Sequence, residues 1–238
     1  MQGFTVSVRK LTDEDLMHEA CESTFIGTSK CSLETIYKSE HSPARTQLFW
    51  ITIKNVKLFV STHLIRHHVG SIPFQLSCRT DRRGGNPAMV PRCEAIKDKL
   101  KQANSVVDSD PEYAKSLVGS SIEEVEWLEK NADRNTPVNL SLLVNAQSLI
   151  DMAKLRLCMQ ASIETREIFQ AIKKEITKID PSLGAMMVRK CVYRCGLCGE
   201  PRCCGFNNSP KFIAEMKDYA SHFSEQQRGY FCNLLSSN

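Results

Sequence analysis

Alternating apolar and polar positions in TVSVRKL (5–11) predict a short strand, and TQLFWITIK (46–54), rich in β-branched and aromatic residues, predicts a second. Asn55 marks a turn after it. TDEDLMHEACESTF (12–25) opens on Thr12 as an N-cap and places acids in the first turn, which predicts a helix. SLETIYKSE (32–40) predicts another, capped by Ser32 and stopped before Pro43. LFVSTHLIRHH (58–68) has apolar residues at 58, 59, 60, 64 and 65, which suits a helix better than a strand. Gly70 and Pro73 break it, and residues 71–93, containing RRGGNP, read as a loop. Residues 94–131 predict exposed helix around the acidic run IEEVEWLEK. Residues 136–160 predict one long helix with Pro137 near its start. SIETREIFQAIKKEITKI (162–179) predicts the next, with Ser162 as cap and Pro181 and Gly184 at its end. Residues 211–235 predict a C-terminal helix. This order of elements suits one α/β or α+β domain with a small cysteine-rich appendage.

Composition changes this picture little. The 238 residues are 42% hydrophobic and 24% charged, enough to bury a sizeable core. A net charge of +4 points to a local basic site for a small anion rather than a track for a polyanion. No window approaches 18 uninterrupted apolar residues, so no membrane span is expected. MQGFTVSVRK lacks the basic-then-apolar layout of a signal peptide, which predicts a cytoplasmic protein. Eleven cysteines are then expected as thiols or metal ligands rather than a disulfide framework.

Candidate chemistry falls in three places. HLIRHHVGSIPFQLSCRTDR (63–82) sets His63, Arg66 and His67 on one helical face, followed by Ser71, Ser77 and Arg79. Arginine forks grip phosphate bidentately, and serine hydroxyls add donors. A solvated basic turn with one structural histidine is the alternative. No GxGxxG or GxxxxGK[ST] occurs, so neither common phosphate device explains the stretch. In NAQSLIDMAKLRLCMQ (145–160), Asn145 and Arg156 are eleven residues apart, which on one helix places them on nearly the same face. Such a pair can read the carbonyl and imide edge of a base, whereas a lone helical Arg more often bridges to a carboxylate. Third, CVYRCGLCGEPRCCG (191–205) offers Cys191, Cys195, Cys198 and Cys203 or Cys204 as zinc thiolates, with a reduced reactive cluster as the alternative.

The first two constellations together resemble the flavin-dependent thymidylate synthases, whose signature has the form RHRxxSxNExSxR. Arg66-His67-His68 with Ser71 matches its head and Ser77-Cys78-Arg79 its tail; His68 replaces an arginine, and the middle, with Pro73, Phe74 and Gln75, is one residue longer. Asn145, Arg156, Ala161 and Glu164 match the family's N-x10-R-x4-AQxEIR segment, with Ser162 in place of Gln and Thr165-Arg166 in place of Ile-Arg. The resemblance covers roughly residues 35–185, and its departures look like those of divergent phage-type members.

The resemblance implies an α+β fold, a mixed sheet flanked by long helices, with a catalytic domain over 1–185 and a cysteine-rich segment and helix over 186–238. It implies FAD, with methylenetetrahydrofolate as carbon donor and NADPH as reductant, converting dUMP to dTMP in a homotetramer with shared sites. Arg66, His67, His68, Ser71, Asp151 and Gln160 would hold the cofactor. His63, Gln75, Ser77, Arg79 and Arg156 would hold the nucleotide, with Arg156 and Asn145 facing the pyrimidine and flavin. No Pro-Cys-His nucleophile motif is present, and Cys78 reads as a small loop filler. Asp151 could accept from a cytosine amino group, so C5 hydroxymethylation or action on dCMP is the first alternative. A zinc-containing nucleic-acid binder using the basic loop 79–92 is the second; the near-neutral totals and 7% aromatics oppose it.

Overall fold

Val138, Leu140, Leu142 and Val144 are all buried, and the residues between them are not, so this stretch obeys a period of two. It forms a strand and not the first half of a long helix. In the computed structural model, which describes residues 3–76, 90–130, 134 and 136–229, four strands pair in the order β1-β2-β4-β3. They are β1 (Thr5–Lys10), β2 (Leu48–Lys57), β3 (Ser71–Gln75) and β4 (Pro137–Asn145). The α+β class holds, and the three pairings are all antiparallel where a mixed sheet was expected. Pro137 sits at the first strand position, where its missing N–H breaks no central ladder bond. The helix periodicity that the sequence also shows belongs to the residues after Asn145.

Three other expectations shift for local reasons. Asn55 does not end β2: it takes φ 60°, which asparagine tolerates, at an irregularity between Ile53 and Val56, and the strand continues. Thr12 does not cap a helix: its Oγ1 donates to the Thr46 carbonyl and accepts from Leu48 N–H, joining β1 to the start of β2. The loop expected over 71–93 begins instead as β3, paired from Ser71↔Val144 to Gln75↔Leu140.

The helices run α1 (Asp15–Glu22), α2 (Leu33–Ser39), α3 (Leu58–Ile65), α4 (Val90–Val106), α5 (Pro111–Lys130), α6 (Ala146–Arg156), α7 (Ile163–Ile179), α8 (Pro181–Met186), α9 (Lys190–Tyr193) and α10 (Pro210–Ser221). Ser32 and Ser162 cap α2 and α7 as expected, each accepting a backbone N–H three residues on. α7 buries Ile168, Phe169, Ile172 and Ile176 at helical spacing over the sheet's inner face, which supplies Phe49, Ile51, Ile53 and the four β4 residues named above. Asp180 ties the layers together: its carboxylate accepts from Tyr37 Oη (3.0 Å), Lys10 Nζ (2.7 Å) and Leu183 N–H (3.0 Å), capping α8. A second apolar cluster, Val188, Val192, Phe206, Phe212 and Met216, gathers the residues around α9 and α10. No helix among the described residues is long and apolar enough to cross a membrane.

Antiparallel order decides where the site is built. The start of β2, the end of β4 and the start of β3 meet at one end of the sheet, because Leu48 pairs with Asn145 and Ser71 with Val144. α3 ends just before β3, α6 begins just after β4, and the 3-10 turn Ser42–Thr46 leads into β2. Three chain segments distant in sequence therefore deliver residues 45, 66–70 and 145–151 to one place.

Candidate functional site

That sheet end holds a cavity of about 410 Å³ lined by Arg45, Arg66, His67, His68, Asn145 and Asp151 among others. Its floor is a locked turn. Gly70 takes φ +71°, and its carbonyl accepts from Asn145 N–H at 3.0 Å. Asn145 is the N-cap of α6, its Oδ1 accepting from Ser148 N–H at 2.8 Å. Ser148 Oγ donates to the Val69 carbonyl. So Asn145 is not in the body of a helix with Arg156, as the spacing suggested. It stands at the N-terminus of α6, and Arg156 ends the same helix. The eleven-residue separation is the length of α6.

Arg156 reaches the site through histidine: its Nε donates to His67 Nε2 at 2.8 Å. A guanidinium cannot accept, so His67 Nε2 carries no proton and the ring N–H is on Nδ1. Burial, and then the Arg156 charge, hold the His67 pKa down to about 4. Burial lowers the Arg156 pKa too, as does the neighbouring Arg66 charge. Among the described residues neither Arg45, Arg66 nor Arg156 pairs with a carboxylate. Among the described residues Asp151 is the one acid on the cavity wall, and its oxygens accept from Lys154 and Gln147. The result is a concave site with like charges close together and, among the described residues, a single carboxylate that is already paired with Lys154. Binding an anion there relieves repulsion as well as adding hydrogen bonds.

The lowered His67 pKa makes a prediction about stability. The unfolded residue titrates near 6.5, the folded one near 4. Between those values the unfolded chain binds more protons, so this contribution is complete above pH 6.5 and is lost as pH falls toward 4. His63 shifts in the same direction, chiefly by burial, and adds to the effect. Melting temperatures measured from pH 7.5 to 4.5 should fall further for the wild type than for His67→Gln. Parallel curves would show that folding leaves the His67 pKa where it lies in the unfolded chain.

The remaining sequence candidates divide. His63 lies off the cavity, its Nδ1 3.2 Å from Thr165 Oγ1 and its ring edge-on to Phe59. Ser71 is buried and its Oγ has no partner among the described residues. Gln75 ends β3, five residues along the strand from the cavity turn. Gln160 donates to the Arg202 carbonyl and belongs to the cysteine-rich region. Ser77, Cys78 and Arg79 lie outside the described residues, as does most of the basic loop 79–92; Arg92 itself pairs with Glu124 and stacks on Trp127.

The expected zinc quartet is not gathered. Cys195 sits at a positive-φ turn and is disulfide-bonded, and no group of three or more His, Cys, Asp or Glu among the described residues is arranged to hold a metal ion. Cys191, Cys198 and Cys203 instead share a small pocket with Cys204 and Cys158.

Sequence reasoning missed Arg45, Gln147 and Ser148. Arg45 follows His41-Ser42-Pro43-Ala44 with no motif around it; only the pairing of β2 with β4 brings it near Gly70. Ser148 was legible in principle, since Asn145-x-x-Ser148 is a capping pattern once a helix start is placed at 146.

The profile of a family described as thymidylate synthase complementing protein matches residues 6–182. Among solved structures the chain is similar to the UMP/dUMP methylase PolB from Streptomyces cacaoi, determined with 5-Br dUMP bound. The identity is 14% and the TM-score 0.49, over 78% of this chain and 95% of that one. A search of curated proteins gives no match.

Proposed function

This chain belongs to the thymidylate synthase complementing protein family, and from that premise we propose that it transfers a one-carbon unit from methylenetetrahydrofolate to C5 of dUMP, yielding dTMP, with FAD as cofactor and NADPH as reductant. The observation that carries the reading is the cation cradle: Arg45, Arg66 and the Arg156–His67 pair around the Gly70 turn, with no carboxylate partner for any of the three arginines among the described residues. A phosphate-bearing ligand supplies the missing charge.

The residues present suit such a group. The Gly70 turn packs against the Asn145 amide and Ser148 hydroxyl in space that a Cβ would take, and the next residue, Ser71, keeps a buried hydroxyl without a partner among the described residues. When bound, the flavin supplies the hydride that completes the methyl group. The protein's own part is positioning. Arg66 and Arg45 hold phosphate by charge. Arg156, held by His67 through Nε, keeps its two terminal nitrogens for a pyrimidine carbonyl. His67 stays neutral at working pH, so it orients Arg156 without adding a competing positive charge. Asn145 spends Oδ1 on its cap and leaves its Nδ2 donors facing the Gly70 turn.

Asp151 accepts one bond at each oxygen, from Gln147 and Lys154. The test is an absorption spectrum of the purified chain incubated with FAD and titrated with dUMP or dCMP. A flavin band that shifts with dUMP and not with dCMP is expected. A protein that stays colourless after incubation with FAD rejects the flavoenzyme reading.

A further inference from the structure

Asp151 is the odd residue in a cavity that otherwise offers donors. Arg45, Arg66 and Asn145 bring N–H groups to the wall, whereas Asp151 brings a carboxylate whose side chain is 55% exposed. It stands on α6 between Gln147 and Lys154, about one turn from each, so the three share a helical face. Gln147 Nε2 donates to Asp151 Oδ2 at 3.3 Å, and Lys154 Nζ donates to Oδ1 at 3.1 Å. An ionised carboxylate has about four lone-pair positions, so each oxygen keeps one to spare.

Both donors are fixed from behind. Glu40, the C-cap of α2, takes φ 51°, in the left-handed region that few residues with a Cβ adopt. Its carboxylate accepts from Lys154 at 2.9 Å through each oxygen and from Gln147 Nε2 at 2.6 Å. The Lys154 ammonium also lies 3.9 Å over the Tyr193 ring. Glu40 and Lys154 are not on the cavity wall. They orient Asp151 without cancelling it, because one ammonium is shared by two carboxylates and a negative charge is left over. Four other acceptors on the wall are already used. The Gly70 carbonyl takes the Asn145 N–H, the Val69 carbonyl takes the Ser148 hydroxyl, Asn145 Oδ1 takes the Ser148 N–H, and His67 Nε2 takes Arg156. A phosphate is repelled by Asp151, so this residue serves a different part of the bound ligands.

We propose that Asp151 binds the 2-amino-4-oxopyrimidine edge of a ligand, taking the ring N–H on one oxygen and the exocyclic amino group on the other. This deepens the one-carbon reading above and rests on it, since there the edge belongs to the pterin of methylenetetrahydrofolate. Uracil and isoalloxazine each present one imide N–H between two carbonyls, and those carbonyls repel a carboxylate. Cytosine presents its amino group beside a ring nitrogen that only accepts. The pterin and guanine edges place an N–H and an NH₂ side by side, which two carboxylate oxygens can meet together. The carbon carrier is then docked on α6, the helix that starts after Asn145 and ends on Arg156. Asp151 serves that carrier rather than the flavin.

The experiment titrates the full chain in a calorimeter with tetrahydrofolate, with its 2-desamino analogue and with GMP. Wild type should bind tetrahydrofolate at least about tenfold more tightly than the 2-desamino analogue, the scale of a hydrogen bond to a charged group. Asp151→Asn should lower the affinity for tetrahydrofolate at least about tenfold and bind the two pterins alike, because an amide cannot accept at both positions. A merely structural role for Asp151 would weaken both pterins equally and preserve their ratio. Equal binding of the two pterins by wild type overturns the proposal. So does wild-type tetrahydrofolate affinity in Asp151→Asn, or a wild type that binds neither tetrahydrofolate nor GMP. GMP binding in place of tetrahydrofolate, with the same dependence on Asp151, keeps the edge but assigns it to a purine nucleotide and removes the carbon donor from this wall. The flavin reading fails separately: a chain that stays colourless with FAD and still shows the pterin ratio loses the flavin and keeps the pterin.

Discussion

Gly70→Ala is expected to abolish nucleotide binding and to destabilise the protein by roughly 2–4 kcal/mol, the range of a strained backbone combined with a broken cap. Gly70 has φ +71°, where a residue with a Cβ costs about 1–2 kcal/mol. The added carbon would stand 2.3 Å from Asn145 Nδ2, 2.4 Å from Ser148 Oγ and 2.9 Å from Asn145 Cγ. Neither neighbour can retreat cheaply. Asn145 holds the first turn of α6 through Ser148 N–H, and Ser148 holds the Val69 carbonyl. Moving Asn145 also strains its own N–H bond to the Gly70 carbonyl, at the end of the β4 ladder. Relief must come from displacing residues 66–70, which are the cavity wall. Gly119→Ala is the control. It lies inside α5 with nothing within 4 Å of a new Cβ, so it should stabilise the chain by about 0.5–1 kcal/mol. Chemical denaturation of both variants, with dUMP binding by the flavin band, checks the pair. Normal dUMP affinity in Gly70→Ala would show that the turn is not the ligand's floor.

Gly70 also shows what the sequence made legible. A glycine after Arg-His-His reads as a helix breaker, and it is one. Its second task, admitting an asparagine and a serine from 75 residues onward, depends on β3 pairing with β4, and no local pattern encodes that. Helices bounded by Ser32 and Ser162 were readable because a cap is a contact three residues away. Residues 136–160 were not, because Leu149, Ala153 and Leu157 satisfy a helical period, which Leu142 extends backward by coincidence, while Val138 to Val144 satisfy a period of two. Both patterns are real, one for each side of Asn145. The cation cluster was half readable: Arg66, His67 and Arg156 stood out by motif, whereas Arg45 comes in by sheet register alone. The thiols were readable as a group but not as a set, since Cys158 joins them only through the packing of α6 against α9.

Arg156→Ala should lower kcat/KM for dUMP by about a hundredfold or more, the scale of losing one preorganised charged donor from a partly dry site. The same change should move stability by no more than about 0.5 kcal/mol, since what is lost in the bond to His67 is offset by removing a guanidinium that burial and Arg66 both disfavour. Activity and stability then separate, as expected where a site holds like charges together for a ligand's benefit. A structural role would instead lower both. His67 gives a second readout. Without Arg156 its pKa should climb from about 4 toward 6.5, because a neighbouring positive charge is gone while only part of the burial remains. Ring-proton NMR of the variant follows that titration directly. Arg156→Lys keeps a charge near Arg66 but loses the planar fork whose Nε meets His67, so it should recover less than about a tenth of the wild-type rate. Wild-type kcat/KM in Arg156→Ala would remove Arg156 from the substrate and leave His67 with an ordinary surface partner. A low rate with an unshifted His67 would mean that the two act separately.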